Sequence, residues 1–221
     1  HMAAGRLQGA FLLFLTQDAV PADTHLIEEL YRMIETPLPE KLAERLRRRA
    51  EEARTGTRES EKGIQKCLHT EKKGSEERME KSSEPSEGRE SVFRDAGKIC
   101  VAYACQLPAA DCGELERFTR SFNYGSKECI KTVEDIPKLG IKTFFCSDVC
   151  ALYRRSSYEQ LGGFVRRAIF NEDMIFASKV IRNFGAVGYC ARAKVIHSHN
   201  YSGRQQFHRN FDLGVSQAEH P

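Results

Sequence analysis

The sequence predicts an α/β domain interrupted by a charged insertion, and three observations lead there. Short apolar or β-rich runs occur at residues 11–15 and 99–104. Segments with apolar residues at helical spacing follow each of them. Charged residues make up 29% of the 221 residues and crowd into the middle of the chain, leaving most apolar and aromatic content toward the two ends. The chain therefore divides into a strand–helix unit at 1–36, a charged and partly disordered insertion or linker at 37–97, and a second folded part at 98–221.

Each element has its own warrant. Phe11-Leu12-Leu13-Phe14-Leu15 is wholly apolar and too short for a buried helix, so it reads as a strand covered on both faces. Residues 21–24 open a helix whose inner face would hold Leu26, Ile27 and Leu30. Residues 38–54 are helix-forming with a thin apolar stripe. Residues 55–88, rich in Glu, Lys and Ser, bury too little to offset their ordering entropy, which predicts a flexible linker. Order resumes with a strand at 99–104 and a helix at 111–122. A turn at 136–140 feeds a second strand at 143–146, 147–155 continues as strand or loop, and a short helix at 157–161 is closed by Gly162. A helix capped by Asn171 anchors through Ile175, Phe176 and Val180 and stops near 183–185. Two short strands, 187–190 and 193–196, precede a C-terminal helix at 207–214. That helix is expected to pack its aromatics and turn His208 and Arg209 outward.

Composition narrows the function classes. A formal net charge of +3 is too small to argue for nucleic acid. No apolar run is long enough to span a bilayer and no leader pattern is present, so the expectation is a cytoplasmic protein. The eight cysteines are scattered, and the Cys100/Cys105 and Cys146/Cys150 spacings are not those of zinc knuckles, which predicts buried reduced thiols.

Three features carry chemistry. Glu172 and Asp173 open an amphipathic helix, where free N–H groups and the helix dipole favour negative charge and hold a carboxylate in fixed position. That suits a general base, although taken alone an acid pair at a helix start usually serves helix stability. Asp18 follows the first strand, where ligands are met in open α/β sheets, or else it shapes the turn into Pro21. His197 and His199, two apart in extended chain, can look into one site and offer metal ligands.

Laid in series, these pieces resemble the C-terminal two thirds of a bacterial family-two glycosyltransferase of the rhamnosyltransferase-like kind. The matching residues are Phe14-Leu15-Thr16-Gln17-Asp18-Ala19-Val20-Pro21, Phe122-Asn123-Tyr124, Lys142-Thr143-Phe144-Phe145-Cys146-Ser147, Leu161-Gly162-Gly163-Phe164, Asn171-Glu172-Asp173-Met174, and His197-Ser198-His199-Asn200-Tyr201 through Arg209-Asn210-Phe211-Asp212-Leu213-Gly214. The resemblance implies a truncated GT-A fold with a mixed sheet. Residues 1–36 would be a remnant of the nucleotide-sugar-binding half and 98–221 the acceptor-binding, catalytic half.

It implies an inverting transfer of a sugar such as rhamnose from a nucleotide-sugar donor to a glycan or lipid-linked glycan acceptor of a surface polysaccharide, assisted by Mg2+ or Mn2+. Asp18 matches the last acid of the family's metal motif, with Thr16 where the first acid often stands, and His197 or His199 would complete the metal site. Asp173 falls on the base and Glu172 orients the acceptor, or the reverse. Gln17, Ser147, Gly162, Gly163, Tyr124 and Arg155 would line the donor and acceptor side. A lipid-linked acceptor would place the protein at the inner membrane face as a peripheral component.

Two departures accompany the match. The early strands that hold the nucleotide base in the family have no counterpart before Phe11, and the family's Tyr-Gly-Arg-Gln-Leu-Pro run stands here as Tyr103-Ala104-Cys105-Gln106-Leu107-Pro108. Both keep a non-catalytic, glycan- or protein-binding remnant open as an alternative. They also predict an open edge on the first strand, with self-association through it or capping by the 38–54 helix.

Overall fold

The computed structural model describes residues 8–68, 93–165, 167–168 and 170–219. Its centre is a mixed sheet of six strands: β1 (Phe11–Leu15), β2 (Val20–Pro21), β3 (Ile99–Leu107), β4 (Cys129–Lys131), β5 (Cys150–Arg154) and β6 (Ala186–Ile196). The order is β1-β5-β3-β6-β2, with β4 also pairing β6. Strands β3 and β6 run parallel and the remaining pairs are antiparallel, so β1, β3 and β6 all point the same way.

Strand β3 is buried along nearly its whole length because both faces are covered, and its alternation divides the core. Val101, Tyr103 and Cys105 face a cluster built from Tyr153, Tyr158, Phe164 and the inner side of α6 (Glu172–Arg182), namely Phe176, Ala177, Val180 and Ile181. Ala102 and Ala104 face the other cluster, where α1 (Leu26–Glu35) and the start of α2 (Glu40–Leu68) contribute Leu30, Met33, Ile34, Leu38 and Leu46. The outcome is a sheet between two helical layers.

Several expectations change. The inner face of α1 is Leu26, Leu30, Met33 and Ile34. Ile27 is 60% exposed, because it lies one residue, or about 100°, round the helix from Leu26. Helix α2 continues to Leu68, beyond the expected end at 54; no proline interrupts it, and its Arg, Glu, Lys and Gln residues are good helix formers although Gly56 and Gly63 are not. The rest of the expected linker, 69–92, lies outside the described residues. Residues 143–146 are not a strand. A short helix α4 (Ile136–Leu139) runs into a 3-10 turn at Gly140–Phe144, and the strand proper begins at Cys150.

The two expected C-terminal strands are one, β6, with an irregularity where Ala104/Cys105 of β3 meets Cys190/Lys194. Helix α5 (Arg155–Gln160) follows β5, and α7 (Gly203–Glu219) is the last element among the described residues. The aromatics of α7 are not packed: Phe207 and Phe211 are 68% and 64% exposed.

Among the described residues β1 pairs only with β5, and Leu13 and Leu15 are exposed rather than covered. The first turns of α2 do not run along that edge. Ala43 closes on Gly97, Arg45 pairs with Glu134, and Arg49 lies over the Phe184 ring. No helix among the described residues is long and apolar enough to cross a membrane. Cys100, Cys105, Cys112, Cys146, Cys150 and Cys190 are buried free thiols, and Cys129 is an exposed one.

Candidate active site

The carboxyl ends of β1, β3 and β6 and the start of β5 meet at one end of the sheet, and the chemistry-bearing residues gather there. β2 pairs with the last residues of β6, Val20 opposite Ile196, which draws the Asp18 turn alongside His197. The 197–200 segment is fastened by the His197 N–H donating to the Leu107 carbonyl at 3.0 Å. The Ala109 and Gly113 N–H groups donate to Ser198 Oγ and Asn200 Oδ1.

Asp18 Oδ2 lies 3.2 Å from His197 Nε2 and 3.7 Å from His199 Nε2, and the two imidazole rings stand edge to face at 4.6 Å. The nearby Thr16 hydroxyl is the largest influence on Asp18 and, with the two imidazoles, holds its carboxyl below the ordinary range. Burial, reinforced by the Arg120 guanidinium, lowers His197 and keeps the imidazole neutral near pH 7, with a lone pair to give. One ionised carboxylate and two imidazole nitrogens, all within 4.8 Å of one another, are a donor set that fits a divalent cation.

Asp173 sits in the first turn of α6 and lines an open cleft of about 690 Å3 together with His197, His199, Tyr124, Ser147 and Arg209. Its Oδ1 accepts from the Met174 N–H at 2.7 Å and its Oδ2 from the Asp148 N–H at 3.2 Å. Burial first, and then the neighbouring Asp148 carboxylate, raise Asp173 to about 7. Asp148 itself is raised to about 6 by burial and by Glu172. Consecutive residues of a helix point about 100° apart, so with Asp173 in the cleft Glu172 is turned out of its lining.

Asn171 does not cap α6 with its side chain. It takes a left-handed conformation at φ 68°, which Asn tolerates, and its amide donates to the Leu213 carbonyl, joining α6 to α7.

The other expected site residues separate. Ser147 lines the cleft and accepts from Gln106 Nε2 at 2.7 Å; Tyr124 lines it too, and burial raises its phenol. Gln17 is exposed in the turn outside that lining. Gly162 and Gly163 are also outside it, in a turn that needs φ of 76° and 65°. A Cβ at Gly163 would come within 2.9 Å of the Tyr158 ring, so Gly163 serves close packing, while Gly162, with open space around it, serves the turn's backbone conformation. Arg155 lies elsewhere, bonding the Gly9 carbonyl and Glu159 beside Arg94 and Arg154.

Three cleft residues, Lys131, Arg120 and Arg209, escaped sequence reasoning, as did Asp148 beside them. Asp148 precedes a strand and carries no periodic signal. Lys131 is buried on β4 with its ammonium on the Tyr103 hydroxyl and the Phe145 carbonyl, and burial lowers its pKa. Arg120 pairs with Glu116 at 2.5 Å inside the cleft wall, a contact their i, i+4 spacing on α3 (Glu114–Asn123) would have revealed. Arg209, expected outward, lies over the Phe170 and Tyr201 rings.

A second cluster of donors, Glu29, Glu128 and Cys190, is an ion-pair network instead. Arg32 and Arg192 already neutralise its two carboxylates, with Arg32 at 2.7 Å from Glu29 and 2.5 Å from Glu128.

The chain is 47% identical over 133 residues to the O-antigen chain rhamnosyltransferase WbaN of Salmonella anatum, and 49% identical over 123 residues to the O-antigen chain rhamnosyltransferase RfbN of Salmonella typhimurium strain LT2. The chain is similar to O-antigen chain rhamnosyltransferases. The matched segments cover 59% and 55% of this chain, and the chain spans about two fifths of the length of these curated relatives, 41% and 39%. No family model and no solved structure matches it.

Proposed function

We propose that this chain carries the metal centre and acceptor side of an inverting glycosyltransferase of the GT-A kind. It would move a sugar such as rhamnose from a nucleotide-sugar donor to a glycan or lipid-linked glycan acceptor of a polysaccharide. The observation that carries this reading is convergence: Asp173 shares its cleft with His197 and His199, and both imidazoles touch Asp18, although these residues lie far apart in sequence. The similarity to proteins named as O-antigen chain rhamnosyltransferases supports the same reading.

Asp18, His197 and His199 would hold the cation. Two nitrogen donors beside one carboxylate suit Mn2+ better than Mg2+, which prefers oxygen. A bound divalent cation offsets the charge that develops on a diphosphate leaving group. Asp173, raised to about 7, is poised to accept the proton of an acceptor hydroxyl near neutral pH. Its two backbone N–H partners fix the carboxylate while it does so. The oxygen thereby freed attacks the anomeric carbon opposite the departing diphosphate, and one such displacement inverts that centre. Tyr124, Ser147 and Lys131 offer the acceptor hydrogen-bonding groups within the same cleft.

The test is calorimetric titration of the chain with Mn2+, with a nucleotide sugar plus Mn2+, and with acceptor glycan alone, followed by a transfer assay. Metal-dependent binding of the nucleotide sugar, with turnover that falls at least about 100-fold in Asp173→Asn, is the expected result. Glycan binding without metal and without turnover would instead identify a non-catalytic binding module. Turnover unchanged in Asp173→Asn would remove Asp173 as the base.

A further inference from the structure

Gln106 is 2% exposed at the end of β3 and is the meeting point of three side chains. Its Oε1 accepts from Arg120 Nη1 and lies 3.2 Å from His197 Nδ1, while its Nε2 donates to Ser147 Oγ at 2.7 Å. The identity of these amide atoms follows from chemistry. A guanidinium can only donate, so the Gln106 atom facing Arg120 is the oxygen. Glu116, 2.5 Å from Arg120 Nη2, holds the guanidinium in place.

That oxygen also faces His197 Nδ1, and an oxygen already committed as an acceptor can be met there only by N–H. The proton of Nδ1 is therefore fixed whether the ring is neutral or charged. The nitrogen left to face Asp18 Oδ2 at 3.2 Å is Nε2. In the neutral ring this sets two electron-pair donors opposite each other, an arrangement that a cation between them relieves.

We propose that Gln106 is a positioning residue that sets the His197 tautomer, presenting Nε2 as a metal ligand and linking the metal centre to Ser147 on the acceptor side. This rests on the metal-site reading above. Metal-bound histidines commonly donate their second nitrogen to such a partner, and loss of the partner typically weakens metal affinity 10- to 100-fold. Here the partner is a neutral amide whose direction is set by an arginine, so Gln106→Leu removes the acceptor while Gln106→Glu keeps it.

Two measurements test the assignment. Nitrogen NMR of the metal-free chain at pH 8 reads the tautomer of His197 directly, and Mn2+ affinity follows from calorimetry. The wild type is expected to carry its proton on Nδ1. Gln106→Leu is expected to shift it to Nε2, where it bonds Asp18, and to lose about 10- to 100-fold in Mn2+ affinity. Gln106→Glu is expected to keep both the tautomer and an affinity near that of wild type. A wild-type proton on Nε2 overturns the proposal without need of any variant. So does a Gln106→Leu chain with unchanged tautomer and unchanged affinity. Asp18→Asn and His197→Ala separate the two claims: if neither weakens Mn2+ binding, the metal-site reading fails, and the tautomer measurement still decides whether Gln106 orients His197.

Discussion

Asp173→Asn has a consequence for stability that can be worked out before any turnover is measured. The Asp173 carboxyl is raised in the folded protein from the ordinary 3.8 to about 7, by burial and by Asp148. An acid whose folded pKa lies above its unfolded value binds more protons folded than unfolded across the interval between them, so stability falls as pH rises from about 4 to about 7 and is constant above. Each unit is about 1.4 kcal/mol, so the two units from pH 5 to 7 amount to about 3 kcal/mol. Because Asp173 keeps part of its surface in the open cleft, that figure is an upper bound.

Asparagine has no such dependence. It keeps one acceptor oxygen where the carboxylate has two, at a pH-independent cost of about 1–3 kcal/mol. Urea denaturation of both proteins at pH 5 and pH 8.5 therefore isolates the effect as a difference of differences. Wild type should lose up to about 3 kcal/mol relative to Asp173→Asn on going to the higher pH. A stability difference constant to within about 0.5 kcal/mol between the two pH values would refute the buried, charge-crowded carboxylate on which the base assignment stands.

Other outcomes follow from named contacts. Any transfer activity should rise with pH through about 7, as Asp173 gives up its proton, and a profile flat from pH 5 to 9 would contradict that role. Gly163→Ala should lower stability by about 1–3 kcal/mol, since it forces a side chain to φ 65° against the Tyr158 ring, and should leave Mn2+ affinity unchanged; thermal melts and calorimetry check both halves. The edge of β1 left unpaired among the described residues, with Leu13 and Leu15 exposed, predicts self-association that Leu13→Lys reduces; light scattering showing a monodisperse monomer in the wild type would contradict it. Peripheral membrane attachment would draw on the exposed Phe118, Phe122, Phe207 and Phe211. Co-sedimentation with anionic vesicles should then fall in a Phe207→Ser/Phe211→Ser chain, and no binding by the wild type would dismiss it.

The central strands and the acid-pair helix were legible because their residues are shaped by burial. β3 is apolar up to Gln106 and β6 from Ala186 to Ala191, beyond which Arg192 and Lys194 break the run and make one strand read as two. Phe176 and Val180 recur at helical spacing, whereas Ile175, expected beside them, is only half-buried and Ile181 takes its place in the core. The apolar residues at 143–146 misled for the same reason: Phe144 and Phe145 pack against the core from an irregular backbone, and periodicity does not separate that from a short strand. Phe207 and Phe211 misled in the opposite sense, being hydrophobic and yet left in solvent.

In the site, the paired histidines and Asp18 could be named from spacing and resemblance. Their being in contact depends on the two-residue β2, too short to leave a pattern of its own. Gln106 was invisible because a polar residue inside a buried run identifies no partner until the fold supplies one, and Lys131 and Asp148 because a three-residue strand and a turn leave no pattern of their own.

The most direct test of the account is Mn2+ titration of the isotope-labelled chain followed by paramagnetic broadening of its resonances. If Asp18, His197 and His199 hold the cation beside Asp173, substoichiometric Mn2+ should broaden His197, His199, Ser147 and Asp173 first, and Asp18→Asn should abolish the effect. Broadening centred instead on Glu29, Glu128 and Cys190, or broadening that survives Asp18→Asn, would contradict the shared metal and acceptor cleft.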